Sequence, residues 1–253
     1  MKRNNGNKGN WKTRGFVLFF WLLAWQGAAA AVDNSIILVG PAAVLSALLS
    51  MTSGADFWLT LLHSFLRISL GFLLAFAAGS ALGILAQGFA AVRELLSPVM
   101  LLLKSVPVAS FVILVLIWAG SKNLSVVISF TVALPMIYEN TVSGLRSAAP
   151  ELLEMAGVFR MSLFRRGRYI YLPALFPYLI NACRTALGMS VKSGVAAEVI
   201  GTPDLTLGER LYMSKIYLDT AGLFAWTLAI IAAAWALEKA VLAALRLTEK
   251  KLV

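Results

Sequence analysis

The residues of this chain that could do chemistry fall into two groups. The first is a polar loop. It carries Glu151 and Glu154, then Arg160, then Arg165, Arg166 and Arg168, with Leu152, Met155, Ala156 and Phe159 at helical spacing among them. An apolar helical face bounded by carboxylates and followed by arginines suits docking rather than bond breaking. It either fills a groove on a partner protein or lies on lipid headgroups, with the arginines against anionic lipid. The second group is charged residues inside apolar stretches: Arg67, Lys104, Glu139, Arg184, Lys192 and, at the edge, Glu198. A charge near the bilayer centre costs about 2.5–3.5 kcal/mol on insertion scales, so each needs a reason. Snorkelling or a partner on another span accounts for Arg67. Lys104 is expected to reach the inner headgroups, and Glu139 to behave similarly. Arg184 and Lys192 lie on one helical face, where they would make a cationic lining suited to an anionic solute. Buried arginines also serve packing alone. Glu198 is poorly spaced to pair with Lys192.

Other chemistry is excluded. His63 and Cys183 are single, so no intramolecular disulfide and no histidine cluster can form. No Gly-Lys-Ser or Gly-Lys-Thr occurs, so the chain has no phosphate-cradling loop of that kind. No clustered acids, bases or metal ligands mark a membrane enzyme. No cofactor is expected.

The elements that hold these residues are membrane spans. The chain is 60% hydrophobic and 13% charged, with mean hydropathy +0.82, whereas soluble domains carry about 25% charged residues. Apolar segments at 15–32, 61–85, 99–118, 124–142, 171–191 and 223–245 predict about six helices. The net charge of +10 belongs to the positive-inside bias rather than to nucleic acid. With the N-terminus in the cytoplasm, 15 of the 22 basic residues fall in cytoplasmic pieces. Lys122, Arg210 and Lys215 fall outside. Both ends are therefore expected inside. Trp58, Trp118 and Trp226 then sit near the outer interface. The first segment resembles a cleaved signal peptide in its basic start and Ala28-Ala29-Ala30, but its length and the spans that follow predict a retained helix. A short helix from Pro41 is expected at the outer surface. Gly71, Gly79 and Gly83 in the second span are read as packing residues.

Within the loop, Pro150 marks a helix start, with Glu151 and Glu154 complementing the positive end of its dipole. Ser162 is the expected N-cap of a second short helix leading into the fifth span at Pro173.

The loop resembles the EAA loop of bacterial ABC-importer permeases. That pattern is Glu-Ala-Ala, three residues, Gly, nine residues, Ile, one residue, Leu-Pro. Glu154, Ala156, Ile170, Leu172 and Pro173 match it in register. Met155 replaces the first Ala, and Arg160 replaces the Gly. The likeness extends over about residues 40–240, through Ser64-Phe65-Leu66-Arg67 with Gly71, Pro107 with Trp118 and Gly120, Pro135 with Asn140-Thr141 and Gly144, Ala197-Glu198, and Leu207-Gly208. It is similar to the permeases for nitrate, sulfonates, taurine and related compounds.

The resemblance implies an all-α, polytopic, type I ABC-importer permease fold in a bacterial inner membrane. It divides the chain into a cytoplasmic tail (1–14), a first helix and outer segment (15–57), the transmembrane domain (58–246, coupling loop about 146–173) and a C-terminal tail (247–253). It implies that Glu151, Leu152, Glu154, Met155, Ala156, Phe159, Arg160, Ile170 and Pro173 form the ATPase-coupling site. Arg184, Lys192 and Glu198 fall on the span that lines the path in such permeases. The implied partners are a cytoplasmic ATPase dimer that binds ATP, a second permease copy, an external solute-binding protein and the lipid bilayer. A gradient-driven secondary transporter is the alternative; it calls for internal repeats and intramembrane carboxylates, and the chain is poor in both.

Overall fold

The computed structural model describes residues 10–252, and among these all regular elements are helices. The expected basic start at Lys2, Arg3 and Lys8 lies outside the described residues. The chain forms two compact units, Met1–Trp58 with Arg210–Ala229, and Leu59–Glu209 with Ile230–Val253.

The first unit contains α1 (Asn10–Val32) and α2 (Pro41–Thr52), with Pro41 in the first turn of α2 as its fixed φ favours. Val39, Val44 and Ala225 form its core, with Trp25 and Phe224 packed against them. The Thr220 hydroxyl donates to the Ile36 carbonyl at 2.6 Å. Trp226 is buried and stacks on Phe57 with ring centroids 4.9 Å apart. Trp58 and Trp118 are exposed.

The second unit holds α4 (Ala90–Ser105), α5 (Val108–Ala119), α6 (Leu124–Arg146), α7 (Pro150–Val158), α8 (Leu163–Arg166) and α9 (Leu172–Gly201). It also takes most of α3 (Ala55–Gly88) and the second half of α11 (Thr220–Leu252). The short α10 (Leu207–Ile216) follows α9. α6 and α9 pack along most of their lengths and carry the core, through Ile137, Val142, Ala182, Ala186 and Leu187. Their buried serines bond reciprocally. The Ser129 hydroxyl donates to the Ser190 carbonyl at 3.2 Å, and the Ser190 hydroxyl to the Ser129 carbonyl at 3.4 Å. Gly71, Gly79 and Gly83 bring α3 onto α6. A Cβ at any of them would press on Val126, Ile137 or Thr141, as close packing between membrane helices requires.

The third predicted span is not one helix. α4 and α5 meet at a bend of 104°. Pro107 has no N–H to continue α4, and it holds Val106 extended at φ −71°, ψ 128°. Residues 99–118 thus straddle the break, and α5 alone, about 18 Å long, is too short to cross. Among the described residues, four helices are long and apolar enough to span a membrane: α1, α3, α6 and α11. The broken pair makes five. The expected fifth span, α9, is 30 residues long. It carries Arg184, Lys192 and Glu198, so its length suffices and its polarity sets it apart.

Candidate functional site

The loop between α6 and α9 is two short helices and an elbow. α7 begins at Pro150 and ends at Val158, with Phe159 as its C-cap. Arg160 then takes φ +48°, in the left-handed region that costs a side-chain-bearing residue about 1–2 kcal/mol. The Arg160 N–H donates to the Gly157 carbonyl at 3.0 Å, and the Met161 N–H to the Ala156 carbonyl at 2.9 Å. These are the two bonds of a Schellman C-cap, whose left-handed position favours glycine. Arg166 completes the elbow. Its Nε donates to the Met161 carbonyl (3.1 Å) and its Nη2 to the Ala156 carbonyl (3.2 Å), placing a cation at the negative end of α7. Ser162 caps α8 by accepting from the Arg165 N–H at 3.4 Å. A π-helical turn, Gly167–Tyr171, joins α8 to α9.

The left-handed backbone accounts for glycine in the resembling pattern; nothing in the structure explains why this chain has arginine there. Arg160→Gly should therefore stabilise the elbow by about 1 kcal/mol, the strain relieved less the greater entropy of an unfolded glycine. Thermal unfolding of the purified protein measures it. A lower melting temperature would mean that the arginine side chain contributes more than its backbone costs.

The residues expected to face a partner do not all do so. Ala156 and Ile170 are buried together with Ala148, with Leu153, Met161 and Tyr171 packed around them. Pro173 is partly buried. These residues form a pedestal under α7. The exposed side of α7 carries Leu152, Met155 and Phe159 with Glu151 and Glu154. Sequence reasoning missed the rest of this surface. Phe159 is 74% exposed, and beyond the elbow Leu163 and Phe164 are 85% and 78% exposed. The available signal was two large apolar residues straight after an N-cap serine in a polar loop.

The charged residues of the helices find particular partners. Lys104 Nζ lies 2.8 Å from a Glu139 carboxylate oxygen, which ties it to α6. Arg184 Nε lies 3.5 Å from Glu238 on α11. Arg184 and Lys192 belong to one exposed stripe of α9 with Asn181, Thr185 and Gly188, at intervals of three and four. Glu198 is not on that stripe. It is fully buried and accepts from the Ser64 hydroxyl at 2.8 Å and the Gly208 N–H at 3.3 Å. Ser64 in turn accepts from the Leu207 N–H at 2.8 Å. Nearby, the His63 Nδ1 donates to the Leu205 carbonyl at 2.9 Å. Glu198 thus clasps α3, the end of α9 and the start of α10. Gly208 makes that clasp possible, because a Cβ there would overlap the Glu198 backbone.

Residues 71–253 match the family described as the binding-protein-dependent transport system inner membrane component. A Bacillus subtilis protein named as an aliphatic sulfonates transport permease is 27% identical over 229 residues, 89% of this chain and 82% of that protein. A Methanocaldococcus jannaschii protein named as an ABC transporter permease is 30% identical over 196 residues, 74% of this chain and 72% of that protein. The taurine transport system permease protein of Escherichia coli is 26% identical over 182 residues, 70% of this chain and 66% of that protein.

Proposed function

The chain belongs to the family of binding-protein-dependent transport system inner membrane components, and from that premise we propose that its 146–173 loop receives the ATPase subunit. It is a membrane-embedded permease subunit of an ABC importer, not an enzyme. Importers of this family work with an ATPase and a solute-binding protein, and a gradient-driven carrier is set aside.

The observation that carries the docking reading is the exposed apolar surface of Leu152, Met155, Phe159, Leu163 and Phe164, edged by Glu151 and Glu154. A short helix offering apolar anchors suits a groove on a partner. The pedestal beneath it, Ala156 against Ile170, holds that surface firm. ATP is bound by the ATPase, two permease copies face each other, and closure of the ATPase dimer drives the two loops together. The spans then pass between inward-open and outward-open states. Both chain ends are placed in the cytoplasm, a reading that the distribution of basic residues supports.

The test is Phe159→Glu in the purified permease with its ATPase. A central apolar anchor replaced by a charge should weaken ATPase binding by more than about tenfold. An exposed position leaves the permease's own melting unchanged, so binding and folding separate. Unchanged ATPase affinity would remove the assignment. Ala156 is unsuitable for this purpose, since any larger side chain there disrupts the pedestal.

The exposed polar stripe of α9 is the translocation face. A stripe of Asn181, Arg184, Thr185 and Lys192 is costly against lipid and suits a water-lined path between two copies. Its cations favour a small anionic solute, the class named in the sulfonates permease it resembles. Glu198, clasped and buried, anchors the end of that helix rather than lining the path. Arg184→Gln should lower uptake of an anionic solute several-fold, about tenfold per lost 1.4 kcal/mol of attraction, and leave a neutral one unchanged. Equal uptake of both, before and after, would reject the lining.

A further inference from the structure

A polar cavity of about 430 Å³ lies between α4 and α6, bordering the loop only at Arg146 and taking no residue of the α9 stripe. α4 lines it with Arg93, Ser97 and Lys104, which share one helical face. α6 lines it with Tyr138, Ser143 and Arg146, likewise on one face. Glu139 is the single carboxylate of the lining, and it is taken by Lys104 at 2.8 Å. Arg146 spends only its Nε, on the Gln87 side-chain oxygen at 3.3 Å. Among the described residues Arg93 has no ion-pair or hydrogen-bond partner, and the terminal nitrogens of Arg146 have none either. Two guanidinium groups therefore converge on the cavity with their charge uncompensated, beside the hydroxyls of Ser97, Ser143 and Tyr138.

The surroundings identify the source of the missing anion. Leu101 lines the cavity and is 67% exposed, and Leu102 beside it is 61% exposed. The cavity opens onto the apolar side of a helix in a membrane-embedded chain. A soluble anion gains nothing from that border, whereas a lipid has both a phosphodiester for the arginines and acyl chains for the leucines. Basic pockets between membrane helices hold anionic headgroups by this pairing, and the guanidinium fork matches phosphate oxygens two at a time.

We propose that this cavity seats the phosphodiester of an anionic phospholipid, with Arg93 and Arg146 on its oxygens, Ser97 and Ser143 on the headgroup, and the acyl chains over Leu101 and Leu102. The lipid wedges α4 against α6 and leaves the Lys104–Glu139 pair at the cavity wall intact. The orientation proposed above enters only in placing the lipid in the cytoplasmic leaflet; occupancy itself does not depend on the coupling loop.

The test reconstitutes the full-length permease with its ATPase into vesicles of phosphatidylcholine and phosphatidylglycerol in equal parts, and identifies retained lipid by native mass spectrometry. Wild type should retain phosphatidylglycerol over phosphatidylcholine by about thirtyfold, since the two cations contribute about 1 kcal/mol each toward an anionic lipid. R93Q/R146Q should fall to near parity, R93K/R146K should keep most of the preference, and R246Q, which alters a basic residue outside the cavity, should match wild type. Near parity in the wild type overturns the proposal whatever the variants do. Displacement of the lipid by added inorganic phosphate would assign the cavity to a soluble anion and overturn it equally. Because ATPase binding is scored in the same preparation, loss of the lipid preference and loss of coupling register separately.

Discussion

Gly208→Ala should collapse the junction between α9 and α10. The added methyl group has nowhere to go: it would overlap the backbone carbon and Cβ of Glu198 and the amide nitrogen of Val199. Backbone cannot rotate aside as a side chain can, so α10 must move away. In doing so it pulls the Leu207 N–H from Ser64 and the Gly208 N–H from Glu198. Overpacking of this kind costs about 3 kcal/mol or more when the obstruction is rigid, and the broken hydrogen bonds add to it. The purified variant should melt well below wild type and the assembled importer should lose most of its transport. A wild-type melting curve would show that the junction yields without cost.

Glu198→Ala should be the next most damaging change, for an electrostatic and hydrogen-bonding reason rather than a steric one. Glu198 is fully buried and is the acceptor for both the Ser64 hydroxyl and the Gly208 N–H. Its removal leaves those buried donors without their acceptor. Stranding two buried donors costs about 3 kcal/mol in total. Glu198→Gln keeps one acceptor oxygen for those donors but replaces the other with an NH2 donor, so it should fall between Ala and wild type. The expected order of melting is Glu, then Gln, then Ala. If Ala melted with wild type, the clasp would have no energetic role.

Much of the site could be read from the chain because its signals are local. Pro150 and Ser162 sit at the starts of α7 and α8, where proline and a capping hydroxyl belong, and the packing glycines of α3 fall where the small-residue rule puts them. What escaped was decided by contacts distant in sequence. Ser64 and Glu198 are separated by 134 positions, and Lys104 and Glu139 by 35. No periodicity joins such pairs. The inward turn of Ala156 escaped for a different reason. In a helix of nine residues the apolar positions span a single arc, and spacing does not say which edge of that arc meets the protein and which meets a partner. The break between α4 and α5 had its signal in Pro107, yet hydropathy averaged over a window passes smoothly across it. Arg160 looked like a departure in chemistry. It stands at a left-handed position that a glycine would occupy more easily.

The polar stripe of α9 also bears on how the protein is made. α9 is not among the helices apolar enough to cross a membrane by themselves, and each of its central cations resists partition from the translocon by about 2.5–3.5 kcal/mol. Ribosomal synthesis delivers α6 first. Its long shared face with α9, including the Ser129–Ser190 exchange, gives the later segment a protein surface to enter against. On the reading proposed for the stripe, α6 shields one side of α9 and a second copy the other, so a chain made alone would carry an open polar seam in the bilayer.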